Sequence, residues 1–100
     1  MSEQHALLID QYLYLTKSVL PELARKPSTQ WPVVNDHCFQ RIVLDNICNG
    51  VWYNHINKPA YKNLSYEQAY EAVQLSESIA KGEADLHQLN HNSLVWREKR

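Results

Sequence analysis

Between Ser65 and Gly82 the chain reads as a helix with both ends marked. Ser65 is a good N-cap, because its hydroxyl can accept from an amide of the first turn, and Gln68 stands three residues later as a capping box requires. Gly82, directly after Lys81, is the residue type that most readily ends a helix in the left-handed conformation. The apolar residues between form two stripes, Tyr66, Ala69, Tyr70, Val73 and Ala72, Leu75, Ile79. Two stripes predict two packed neighbours, so the rest of the chain has to cover both.

The remaining segments keep the same helical period. Leu8, Tyr12, Leu15 and Val19 recur three and four residues apart, predicting a helix from Glu3 to Val19 that Pro21 stops or kinks. "PELARK" can add one further short turn. The loop "PSTQWPVV" carries Trp31, Val33 and Val34, apolar enough to lie across the core. A second helix is predicted to open at Asn35 or Asp36 and run to about Cys48, with Gly50 in the left-handed position beyond it. "VWYNHINKP" reads as a short turn or helix ended by Pro59. In the last segment Leu86 and Leu89 share one turn, and Asn92 or Ser93 would cap a final turn bearing Leu94, Val95 and Trp96. No apolar/polar alternation is present, and two Gly and four Pro are too few for a turn-rich β fold. The expected fold is all-α, a small single-domain bundle of four to five helices over residues 1–100.

Charge narrows the function classes. Ten basic against eleven acidic side chains leave a formal net charge of −1, which offers no general attraction to nucleic acid or anionic lipid. The basic cluster Arg97, Lys99 and Arg100 reads as a solvated tail. "MSEQHALLIDQYLYL" has no positive leader and is interrupted by Asp10, so neither a signal peptide nor a membrane span is expected and the protein reads as soluble and cytoplasmic. Cys38 and Cys48, ten residues apart on one helix, would have Cα atoms about 15 Å apart. That is too far for a disulfide, and both read as free thiols in a reducing compartment.

Chemistry concentrates in "NDHCFQRIVLDNICNGVWYNHI". On a helical wheel Phe39, Ile42, Val43 and Ile47 gather on a core face. His37, Arg41, Asp45 and Cys48 gather opposite, with Leu44 beside them. Such a face can be plain polar surface, with Arg41 and Asp45 paired at i, i+4. It can also be an anion or small-molecule site. There Arg41 offers a forked donor, His37 a titratable one and the helix N-terminus its amides, while Trp52, Tyr53 and Trp31 form walls. The candidate ligand-binding set is His37, Arg41, Asp45, Trp52 and His55.

Other chemistries find less support. His37, Cys38, Asp45, Cys48, His55, His87 and His91 are metal-ligand types, but adjacent His37 and Cys38 diverge on a helix and His87–His91 lacks a third ligand; no metal site is assigned. Cys38 or Cys48 with His37 or His55 carries no signature of a cysteine enzyme, and catalytic residues are unknown. No glycine-rich phosphate loop is present, and no cofactor is implied. Six Tyr and three Trp at helical spacing read mainly as core, and any that share an exposed patch would point to a protein partner or a homodimer.

The run "DHCFQRIVLDN", followed by Gly50, Trp52, "KPAYKNL" and "GEADLHQLN…SLVWR", resembles a family of small bacterial proteins of about 100 residues and unknown function, over nearly the whole chain. Some of its members bear an automatic label of N-acetyltransferase. That fold needs a mixed sheet and a glycine-containing pyrophosphate loop, whereas this chain has only Gly50 and Gly82, neither in such a context. The leading expectation is a binding or regulatory module for a small anionic ligand or a protein partner. The runner-up is a small enzyme using Arg41 electrostatically and His37 as acid–base group. Whether Arg41, Asp45 and Trp52 line a concavity or close into a network discriminates between a ligand site and a structural role.

Overall fold

The computed structural model describes residues 2–98, and the fold is all-α, with five helical rods and no strand among the described residues. α1 (Glu3–Tyr14) passes through a π-helical turn at Leu15–Val19 into α2 (Leu20–Ala24), so the three make one rod. α3 spans Asp36–Cys48, a 3₁₀ turn Trp52–Asn54, the single-turn α4 Ala60–Asn63, α5 Tyr66–Ala80 and α6 Leu86–Glu98. α5 packs along α1 and across α3, and α6 covers the other flank of α3. No mixed sheet of the acetyltransferase kind exists among the described residues. No described helix is long and apolar enough to cross a membrane.

Of the two effects expected, a stop or a kink, the stop does not occur at Pro21. The π turn directly before it absorbs the misfit. Proline lacks an N–H and its ring crowds the carbonyl four residues back; a five-residue turn shifts that register. Leu20 N–H accordingly donates to Leu15 O, and Thr16 Oγ1 donates to Tyr12 O at 2.9 Å. Thr16 is buried, and Gln40 Nε2 of α3 donates to its hydroxyl at 3.3 Å. The bulge is therefore part of the α1–α3 contact.

The ends of α3 and α5 follow local chemistry. Asn35 takes the N-cap position of α3, and the left-handed residue at its far end is Asn49 (φ 54°), not Gly50. Gly50 N–H still returns to Asp45 O at 3.1 Å, the bond that closes a helix after a left-handed residue. In α5 both halves of the capping box form: Ser65 Oγ accepts from Gln68 N–H at 3.1 Å, and Gln68 Oε1 accepts from Ser65 N–H at 2.9 Å. Gly82 lies at φ 76° as expected.

The core joins Ile9, Tyr12 and Leu20 of the first rod to Phe39, Ile42 and Val43 of α3 and to Ala69, Ala72, Val73 and Ile79 of α5. The small residues of α5 let its two neighbours approach closely. Its two predicted neighbours are present, although Tyr66 and Tyr70 of the first stripe face solvent. Tyr14, Tyr53 and Tyr61 are exposed as well, leaving Tyr12 the buried one of the six tyrosines. A phenol on a small bundle does not need to be covered, because its hydroxyl is satisfied by water. Trp31 and Val33 do pack on the core, Trp31 edge-on to Phe39 at 5.7 Å, whereas Val34 is exposed. α6 runs unbroken through Asn92 and Ser93; Asp85 caps it, its carboxylate accepting from Gln88 N–H at 3.1 Å.

Removing the Ser65 hydroxyl tests the capping box. Ser65→Ala is expected to cost about 1 kcal/mol, a Tm drop of about 4–8 °C in a domain of this size. Ser65→Asp, which restores an acceptor, is expected to recover most of it in thermal melts followed by circular dichroism.

Candidate functional site

Asp45 is fully buried and accepts from three directions. Ser93 Oγ donates to Oδ2 at 2.6 Å, Arg97 donates through Nε to Oδ2 at 2.7 Å and through Nη2 to Oδ1 at 3.1 Å, and the Trp52 amide donates to Oδ1 at 3.0 Å. One carboxylate thus binds α3 to two turns of α6 and caps the 3₁₀ turn that carries Trp52 and Tyr53. The Arg41–Asp45 pair of the plain-surface reading does not form, and Asp45 points inward, not to solvent. A buried carboxylate needs a charged and fully hydrogen-bonded setting, and α6 supplies it where a neighbour one helical turn away could not. Arg97 is correspondingly no part of a solvated tail; Lys99 and Arg100 lie outside the described residues. The hydrogen bond that Arg97 donates to Asp45 outweighs the opposing effect of burial and, with the Asp45 charge, holds the guanidinium still more firmly protonated than usual.

Arg41 takes neutral partners instead. Its Nη1 donates to Ser93 Oγ at 2.8 Å and its Nη2 to Asn90 Oδ1 at 2.8 Å. Ser93 therefore relays between guanidinium and carboxylate, accepting from Arg41 and donating to Asp45. A second polar seam runs alongside: Asn46 Nδ2 donates to Leu89 O at 2.9 Å, and Asn92 Nδ2 donates to Asn46 Oδ1 at 3.1 Å.

This framework forms one wall of a cleft of about 780 Å³, within the range of small-molecule sites. Arg41, Arg97, Lys17 and Lys58 border it, and His37 sits at its rim. Tyr12, Leu13, Leu44, Trp52, Pro59 and Tyr61 give it apolar surface. Lys17 is delivered by the π turn and Lys58 by the loop after the 3₁₀ turn, which buried Val51 and Ile56 anchor to the body. Lys58 Nζ lies 4.6 Å above the Tyr53 ring, and the Arg97 guanidinium lies 5.4 Å from the same ring.

The cleft is electrically unbalanced. Asp36 is its lone acidic lining residue, and Asp45 lies behind the wall. Among the described residues the ion pairs are Arg97 with Asp45 and, at 3.9 Å, His37 with Asp36. Lys17, Arg41 and Lys58 have no carboxylate partner there. The α3 N-terminus is less available than its position suggests, because Asp36 Oδ1 already accepts from His37 N–H at 2.8 Å.

Of the five residues expected to form a site, Arg41, Trp52 and His37 border the cleft, Asp45 supports it from within, and His55 does not line it. Trp31, expected as a wall, belongs to the core on Phe39. Lys17, Lys58, Tyr61 and Arg97 were not anticipated. One signal was present: Asn90, Ser93 and Arg97 recur at three and four residues, which matches the Arg41–Asp45 spacing on the facing helix. Among the described residues no three His, Cys, Asp or Glu side chains converge as a metal site would require. Burial pushes the Cys48 thiol above its ordinary range, and the charges of Asp45 and Glu71 push the same way, the opposite of an activated nucleophile. Comparison with protein-family models, curated proteins and solved structures found no match for the chain.

Two outcomes follow. Asp45→Asn strips the charge from a buried pair and presents an amide to donors, so a loss of about 3–5 kcal/mol is expected in urea unfolding; a loss below about 1 kcal/mol would mean that the network holds nothing together. Cys48, with its thiolate disfavoured, is expected to alkylate with iodoacetamide more slowly at pH 8 than an unstructured cysteine peptide. Its rate should keep rising with pH beyond the ordinary thiol range, as mass spectrometry of the Cys38→Ser variant would read out.

Proposed function

We propose that the protein is a small cytoplasmic binding module whose cleft takes an anionic small molecule at Arg41. The observation that carries this reading is the state of that guanidinium. It is oriented by two neutral acceptors, Ser93 and Asn90, at 2.8 Å each, and has no carboxylate to neutralise it. An arginine fixed in this way keeps its charge and loses little freedom on binding, which favours forked recognition of a carboxylate or phosphate. Lys17 and Lys58 add two further cations around the same space. The unlinked thiols of Cys38 and Cys48 suit a reducing compartment.

An enzymatic reading through His37 has less behind it. Its side chain is 91% exposed and approaches Asp36 at 3.9 Å. A general acid or base is held more firmly than this.

Inorganic phosphate and pyrophosphate are suitable first probes, by thermal shift and calorimetry at low ionic strength. Saturable stabilisation is expected, approaching about 2.7 kcal/mol at a hundredfold excess over Kd. Lys17→Ala and Lys58→Ala, both at exposed positions, should each weaken binding several-fold with the fold retained, and Arg41→Lys should weaken it further by removing the fork. Absence of stabilisation by either anion, or equal affinity in all three variants, would remove the proposal.

A further inference from the structure

Resting on the anion reading of the cleft, the geometry points to a narrower ligand class: we infer that the occupant is an anion carried on a planar ring, such as an aromatic phosphate ester, with the ring against Trp52 and Tyr61 and the charge toward Arg41. Size is the first reason. A water's share of liquid volume is about 30 Å³, so a cleft of about 780 Å³ holds the volume of some two dozen waters. An inorganic oxyanion would fill one corner and leave the rest wet. Lining is the second reason. Cations border the space, but Leu44, Trp52, Pro59 and Tyr61 give it an apolar stretch that no free oxyanion can use. Sites of this size are mostly apolar, with a few polar groups that fix orientation.

The third reason separates the aromatic residues by their state. Tyr53 is already engaged by cations, Lys58 at 4.6 Å and Arg97 at 5.4 Å, and stands edge-on to Trp52 at 5.6 Å. It buttresses Trp52. Trp52 itself is held at its backbone by Asp45 and is half-buried, while Tyr61 is exposed on α4. A rigid indole with a tyrosine lining the same cleft is the surface on which a flat ring binds at low entropic cost, as base–aromatic stacking does elsewhere. The backbone tether fixes the turn, and the edge-on contact with Tyr53 restrains the indole itself, so that less of its freedom is lost on binding.

Phenyl phosphate, inorganic phosphate and phenol separate the contributions, with affinities measured by calorimetry and by the intrinsic tryptophan fluorescence. Phenyl phosphate is expected to bind at least about tenfold more tightly than inorganic phosphate, the factor that one favourable stacking contact supplies, and more tightly than phenol, which lacks the charge that Arg41 would take. Trp52→Leu should erase that advantage, so that phenyl phosphate and inorganic phosphate bind this variant with equal affinity. Tyr61→Ala, at an exposed position that does not threaten folding, should reduce it in the same direction. Equal affinity for phenyl phosphate and phosphate would overturn the ring and leave the anion site standing. Equal affinity for phenyl phosphate and phenol would overturn the anion reading and this inference with it, as would failure of all three to bind. An advantage for phenyl phosphate that survives both variants would overturn the assignment to Trp52 and Tyr61.

Discussion

The fully buried carboxylate of Asp45 is the constraint on which the α3–α6 half of the molecule depends. A charge removed from water has to be neutralised and hydrogen-bonded nearly to capacity, or it costs several kcal/mol. Satisfying it draws in the Ser93 hydroxyl, the Arg97 guanidinium and the Trp52 amide, which come from α6 and from the 3₁₀ turn. The helix packing of α3 against α6 and the course of the chain after α3 are thereby settled by one side chain. Apolar contact between the two helices would permit some sliding. Directional bonds to a common acceptor do not.

The same network leaves Arg41 charged and uncancelled. Because Arg97 serves Asp45, Arg41 is left with the hydroxyl and amide acceptors of Ser93 and Asn90. Its placement follows from the buried pair, and it borders the cleft. The π turn contributes on the opposite side, where accommodation of Pro21 brings Lys17 to the same opening. Two features that look like local irregularities, an ion pair in the interior and a widened helical turn, supply the cations that give the cleft its sign.

Much of this was legible from residue patterns. The helix from Tyr66 to Ala80 has its cap, box and terminal glycine written in the chain, and all three operate where read. The extent of α3 was equally plain from its period and from Asn35. Errors arose where tertiary contacts outweighed a local rule. Pro21 was expected to stop or kink the rod; the rod continues through a five-residue turn, and the further short turn read in "PELARK" is α2. Asn92 and Ser93 looked like caps because short polar residues often are, while Ser93 was needed inside. Arg41 and Asp45 looked like a pair because spacing on one helix was the one geometry available without knowing what faces it.

Periodicity and caps are properties of neighbours along the chain, since they rest on backbone hydrogen bonds and on side chains a few residues apart. For that reason the amino-acid order alone determined an all-helical chain, most of its helix limits, and the gathering of polar groups on one side of α3. Which of those groups are buried, which partner each receives, and whether they enclose a space depend on elements some fifty residues away, as in the 52-residue separation of Arg97 from Asp45. Solvent exclusion is a collective result of packing. Only the folded molecule could decide that Asp45 lies inside while Arg41 faces a cleft.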